Sequence, residues 1–255
     1  MTSRNQQQAG RNQQHAGPVD AAGRLIVALD LPSVGEARAL VAKLAGAVSF
    51  YKVGLQLQMA PGVEGFIREL IDGGNQVFLD YKYFDIGETV EKAVRRAAEF
   101  GVTFLTVHGQ AEIMRAAARG KAGSALKVLC VTLLTSLDAA DVKELFGTEI
   151  AVKDFVLARA RKSFESGCDG VIASPAEAAA IRAAIRGGDF LIVTPGVRRA
   201  SDSTQDHKRS GTPAAALGDG ADYLVVGRPI VQSADPAAEA RAFVKEMQAA
   251  LDARG

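Results

Sequence analysis

The stretch from Gln76 to Val90 reads QVFLDYKYFDIGETV. It opens as a β-rich run, Val77-Phe78-Leu79, that closes on the acid Asp80. Asp80 and Lys82 stand two apart, so in extended chain their side chains share one face. A second acid, Asp85, follows, and from Glu88 to Phe100 Ala, Glu and Arg recur at helical spacing. One strand therefore runs into one helix, with carboxylate, ammonium and carboxylate at the junction.

The same unit recurs on both sides. Upstream, strands are predicted at Leu25–Leu29 and Ser49–Val53, with helices over Val34–Leu44 and Gly62–Asp72. Downstream, strands are predicted at Thr103–Val107, Lys127–Thr132, Gly170–Ala173, Phe190–Val193 and Tyr223–Val226. Gly46, Gly73 and Gly101 sit where left-handed helix caps belong. Helices between buried strands require parallel pairing. With Gln76–Asp80 the strands number eight, which predicts an α/β protein, a single-domain (β/α)8 TIM barrel over residues 24–255. A doubly wound fold would want a Gly-rich turn after its first strand. The chain has Ala28-Leu29-Asp30-Leu31-Pro32 there.

Residues 1–23 contain the near-repeat RNQQQAG, RNQQHAG and almost nothing to bury. Ordering each residue costs roughly 1–2 kcal/mol of backbone entropy, which no core here offsets. The expectation is a disordered Gln-rich tail, with His15 solvated and without the apolar centre of a secretory signal.

Composition narrows the function. Hydrophobic residues make up 48% of the chain, too many for a mainly disordered protein. Lys plus Arg total 30 against 29 Asp plus Glu, a net charge of +1, which argues against a nucleic-acid or membrane-surface binder. No run approaches the ~20 apolar residues of a membrane helix. The two cysteines, Cys130 and Cys168, form no CxxC pair, which excludes a disulfide scaffold and a thiolate zinc site and fits the cytoplasm.

In a barrel of this kind the chemistry lies at the carboxyl ends of the strands. Asp30, Lys52, Asp80 to Asp85, His108, Thr132 to Ser136, Ser174, Thr194 to Gly196 and Gly227-Arg228 are all placed there. Lys52, on the strand next to Asp80 and Lys82, makes an alternating cluster of opposite charges whose interactions strengthen as water is excluded. Arg198 after strand seven and Arg228 after strand eight, beside Gly227, sit where barrels of this class grip phosphate. The polar segment from Arg199 to Gly211 reads as a closing lid.

The segments ALD (28–30), YKVG (51–54), FLDYKYFDIGETV (78–90), TVHG (106–109), VTLLTS (131–136), VTPGVR (193–198) and YLVVGRPI (223–230) together resemble orotidine 5′-monophosphate decarboxylases. The resemblance spans about residues 24 to 250 in order. It implies a homodimeric barrel that makes uridine monophosphate and carbon dioxide from orotidine monophosphate, without metal or organic cofactor, as the last step of UMP biosynthesis. By that resemblance Lys82 protonates C6, Asp80 faces the leaving carboxylate, and Lys52 and Asp85 complete the charge network. Asp85 and Thr89 reach across the dimer, Thr89 to the ribose. Asp30 binds ribose, Thr135 faces the pyrimidine, and Arg198, Gly227 and Arg228 hold the phosphate.

The chain departs from the family pattern at Gly87-Glu88, where Pro-Asn is usual. It departs again at the phosphate-loop glutamine, where counting reaches His207, with Gln205 two residues earlier. His108 is expected on the pocket floor. Two other readings share these motifs. Keto-gulonate-phosphate decarboxylases and hexulose-phosphate synthases carry the same DxKxxD core but need Mg²⁺, held in part by a carboxylate on the second strand where this chain has Lys52. A non-catalytic phosphate-binding barrel would not need Asp80, Lys82 and Asp85 intact.

Overall fold

The computed structural model describes residues 20–186, 189–199 and 211–253. The Gln-rich stretch 1–19, His207 and Gln205, and all but the two ends of the expected lid lie outside these residues. Within the stretch expected as tail, Ala22–Arg24 form a 3-10 turn and Ala21 is fully buried, its N–H donating to Gln248 Oε1 at 3.2 Å.

Eight strands close into a parallel barrel in sequence order: β1 Leu25–Ala28, β2 Phe50–Gly54, β3 Gln76–Tyr83, β4 Phe104–Val107, β5 Lys127–Val131, β6 Gly170–Ile172, β7 Leu191–Pro195 and β8 Tyr223–Val226. β8 returns to pair with β1 through Leu25 opposite Leu224. Among the described residues the helices are α1 Val34–Leu44, α2 Leu55–Gln58, α3 Val63–Asp72, α4 Gly87–Phe100, α5 Ala111–Gly120, α6 Ala139–Phe146, α7 Val152–Glu165, α8 Pro175–Ala184, α9 Pro213–Gly218, α10 Arg228–Val231 and α11 Pro236–Asp252.

Local chemistry sets many of the boundaries. Ser33 accepts the Glu36 N–H at the start of α1, and Asp138 with Asp141 makes a reciprocal capping box on α6. Gly101 ends α4 in the left-handed conformation, φ 87°, as its position suggested. After α3 the left-handed residue is Gly74, φ 78°, and not Gly73, because the helix runs through Asp72 and Gly73 still serves as its cap.

Alternation along the strands divides the interior in two. Leu25, Val27, Tyr51, Val53, Val77, Leu79, Leu105 and Val107 face the helices and join the outer core. Ile26, Ala28, Phe50, Phe78, Phe104, Leu129, Val193 and Val225 point inward and form a second, central core. Its middle is aromatic: Phe104 lies 5.0 Å from Phe50, 5.9 Å from Phe78 and 5.0 Å from Tyr223, ring centre to ring centre. The next inward position on β2, β3 and β4 is Lys52, Asp80 and Thr106. The aromatic layer is thus the floor on which the polar groups stand.

Candidate active site

A cavity of about 470 Å³ opens at the carboxyl end of the barrel, a size suited to a small organic ligand. Asp30, Lys52, Asp80 and Lys82 line one side of it, and Phe78 and Ile172 lie below. Thr135 lines it from the β5–α6 connection. Arg198, Gly227 and Arg228 line the side formed after β7 and β8. These expected residues therefore meet in one space, although they span nearly the whole chain.

The charges alternate. Lys52 Nζ lies 2.9 Å from Asp30 Oδ1 and 3.5 Å from Asp80 Oδ2, and Lys82 Nζ lies 2.9 Å from Asp80 Oδ1. Lys52 is buried inside β2, which continues to Gly54, so it sits within the strand and not at its end. Gly54 makes room for it: a Cβ there would lie 2.8 Å from both Lys52 Nζ and Asp30 Oδ1.

Burial by itself would raise the pKa of Asp80. The charges of Lys52 and Lys82, with hydrogen bonds from Lys82 and Thr106, outweigh that and hold its carboxyl below the usual value. Asp80 is therefore a carboxylate at any ordinary pH, held between two ammonium groups.

β3 does not end at Asp80; it runs on to Tyr83 through an irregular turn of backbone. Its register against β4 shifts between Leu79 and Tyr83, and Lys82 takes φ 49°, the one positive φ outside glycine among the described residues. Asp80 and Lys82 share the cavity as expected, but only Asp80 comes there by plain strand alternation; a strained backbone turn brings Lys82.

Thr106 was not singled out by the sequence reading, yet it braces the pair. Its hydroxyl donates to Asp80 Oδ1 at 2.9 Å and accepts the Lys82 backbone N–H at 3.0 Å. The signal was present in the alternation: Phe50-x-Lys52, Phe78-x-Asp80 and Phe104-x-Thr106 are the same inward step on neighbouring strands.

Asp85 and Thr89 are not in the cavity of their own chain. Both are exposed, beyond β3 and on the first turn of α4, and the Asp85 carboxylate accepts the adjacent Ile86 N–H at 2.6 Å. Gly87 is the first residue of α4, and Glu88 pairs with Lys92 one turn on, at 2.6 Å. His108 corrects an expectation. It is not among the residues that line the cavity, but stacks edge-on against Phe84 with ring centres 6.0 Å apart. Burial lowers its pKa, and the nearby Arg159 and Lys82 charges lower it further.

Among the described residues no group of three or more His, Cys, Asp and Glu gathers in metal-ligand fashion, and no helix is long and apolar enough to cross a membrane.

The chain is 52% identical over 228 residues to the orotidine 5′-phosphate decarboxylase of Nitrobacter winogradskyi, covering 89% of this chain and 94% of that one. It is 48% identical over 230 residues to the enzyme of the same name from Rhodopseudomonas palustris, covering 90% and 97%. Among solved structures, the orotidine 5′-phosphate decarboxylase of Lactobacillus acidophilus superposes with a TM-score of 0.77 at 35% identity, covering 88% of this chain and 99% of that one. The sequence profile described as orotidine 5′-phosphate decarboxylase / HUMPS family matches residues 23–243, and the chain belongs to that family.

Proposed function

We propose that this enzyme decarboxylates orotidine 5′-monophosphate to uridine 5′-monophosphate and carbon dioxide. The observation that carries the reading is the Lys82 ammonium, held 2.9 Å from the ionised Asp80 at the wall of a cavity that Arg198 and Arg228 also line.

Loss of carbon dioxide breaks the bond from C6 to the carboxylate and leaves its electron pair in an in-plane orbital on C6, out of reach of the ring π-system. The fixed Lys82 ammonium faces that developing charge and delivers its proton to C6; the amine is reprotonated from solvent. Preorganised charge of this kind is worth most where water is excluded. Asp80 stands against the leaving carboxylate and strengthens the drive to lose it, a ground-state cost supported by binding energy from the distant phosphate. Asp30 and Lys52 take the ribose, Thr135 the pyrimidine, and Arg198, Gly227 and Arg228 the phosphate, with His207 or Gln205 in place of the amide of the phosphate loop.

The reaction needs no metal or organic cofactor in this reading. Lys52 supports that, since a buried ammonium on β2 would repel a divalent cation there. The working unit is a homodimer in which Asp85 and Thr89 complete the partner's cavity. In support, Leu55 and Met59, at the two ends of α2, and Phe84 and Ile86, on either side of Asp85, are exposed apolar side chains. The free thiols Cys130 and Cys168 support a cytoplasmic location. Of the expected tail, residues 1–19 are proposed as lying outside the catalytic domain; Ala21, buried against α11, belongs to the barrel.

The test is loss of substrate absorbance on adding orotidine monophosphate in EDTA. Turnover that survives chelation and falls by many orders of magnitude in Lys82→Ala, with UMP still bound, is the expected result. Activity of Lys82→Ala within roughly tenfold of the parent, a barrier change of only ~1.4 kcal/mol, would sink the assignment of the proton donor.

A further inference from the structure

Two arginines stand side by side where the chain leaves β7, and the structure sends them to different places. Arg198 lines the cavity. Arg199 turns away to α11, where its Nη1 lies 3.1 Å from Glu239 Oε1 and its Nε 3.8 Å from Glu246 Oε2. Glu239 and Glu246 are seven apart, so they lie two turns apart on one flank of α11. Both are half-buried beside Ala240, Phe243 and Met247, and about a third of the Arg199 side chain is exposed.

The backbone here is extended. Val197 pairs with Gly211 in an isolated bridge, and the Arg198 N–H donates to the Gly211 carbonyl at 3.0 Å. Gly211 is pressed close to Pro175 at the start of α8; a Cβ on it would sit 2.8 Å from Pro175 Cβ. In extended chain consecutive side chains point to opposite sides, and a slip of one residue exchanges them. Among the described residues one bridge and one backbone hydrogen bond hold this register, a weak hold against such a slip. With two arginines in succession, a slip would still leave a guanidinium facing the cavity, but displaced along the chain by about 3.3 Å, the rise per residue.

We propose that the Arg199–Glu239–Glu246 contact is a register clamp, and that Arg199 is a positioning residue for the phosphate grip of Arg198. The guanidinium fork spans the two carboxylates of α11 and ties the outward position to a rigid helix. Arg198 is then the arginine presented to the phosphate. The inference rests on the decarboxylase reading for the identity of the phosphate, though not for the clamp itself.

The experiment compares UMP affinity by calorimetry with steady-state decarboxylation, for the parent, Arg199→Ala, Arg198→Ala, Glu239→Gln/Glu246→Gln, and the triple variant Arg198→Ala/Glu239→Gln/Glu246→Gln. Arg199→Ala is expected to weaken UMP binding and raise KM by about two- to fivefold, the range of a partly exposed ion pair, with kcat at saturation retained. Orotidine, which lacks the phosphate, should show no change in kcat/KM, and Arg199→Lys should recover part of the loss. In the triple variant Arg199 is released and can slip inward, so it should bind UMP more tightly than Arg198→Ala alone. A merely structural Arg199 would give equal losses on both substrates and no such recovery. Either of those results, or unchanged UMP affinity in Arg199→Ala, overturns the clamp. If the parent itself fails to turn over orotidine monophosphate, the decarboxylase reading falls, and the UMP affinities still decide the clamp.

Discussion

The Thr106 hydroxyl donates to Asp80 Oδ1 at 2.9 Å, the same oxygen that Lys82 Nζ approaches at 2.9 Å from the other side. One small side chain on β4 therefore fixes the orientation of the carboxylate on β3. Through the Lys82 N–H it also fixes the backbone that carries the ammonium.

Thr106→Val keeps the shape and removes both contacts. It leaves a buried oxygen and a backbone N–H short of partners, a penalty of about 1–3 kcal/mol. If that penalty falls on the reacting geometry, kcat drops by roughly 10- to 100-fold. UMP affinity should hardly change, and Thr106→Ser should recover most of the rate. Steady-state kinetics with a UMP titration reads this, and a Val variant with parental kcat would refute the brace.

Lys82 is held at φ 49°, a conformation costly for any residue with a Cβ. Lys82→Ala and Lys82→Gly lose the same charge, but only glycine accepts this backbone without penalty. The Gly variant should be more stable than the Ala variant by about 1–2 kcal/mol in urea unfolding. Equal midpoints would mean that the turn relaxes when the lysine is removed.

Asp85 and Thr89 lie outside their own chain's cavity. If they serve the partner's site, mixing inactive Lys82→Ala with inactive Asp85→Ala should regenerate activity after subunit exchange. One site of the mixed dimer then carries both lesions and the other carries neither. A mixture that stays dead after re-equilibration rules out shared sites.

Arg228 is the first residue of α10 and faces the cavity beside Gly227. Removing it should cost about 1.5–3 kcal/mol for each charged hydrogen bond lost. The loss should appear in kcat/KM for the nucleotide, because remote binding energy supports closure. Orotidine never makes that contact, so its poor rate should barely move in Arg228→Ala. Equal losses on both substrates would assign Arg228 to the fold.

Asp80 also shapes the response to acid. Its pKa in the folded protein lies below the ordinary 3.8, because Lys52 and Lys82 outweigh the effect of burial. A depressed carboxyl stabilises the fold fully above its unfolded pKa, and that stability is lost as pH falls through the folded value. Stability of the parent should therefore decline below about pH 3.8 more steeply than that of Asp80→Asn. Chemical denaturation at a series of acidic pH values checks it, and parallel curves would contradict the linkage.

The barrel was legible because its strands and helices are coded locally. Eight β-rich runs alternate with helical periods, and caps such as Ser33, Asp138 and Gly101 act within a few residues of themselves. The inward step that puts Lys52, Asp80 and Thr106 above Phe50, Phe78 and Phe104 is also local, since it needs only the two-residue period of a strand. Tertiary structure decided the rest. The turn that aims Lys82 arises from a register shift between β3 and β4, which strand periodicity cannot encode. His108 packs on Phe84, a residue 24 positions earlier beyond β3, and does not line the cavity. The role of Gly54 is space for Lys52 and Asp30, and the partner of Arg199 lies 40 residues along the chain on α11. Such contacts depend on how distant elements meet, and only the closed barrel brings them within reach of one another.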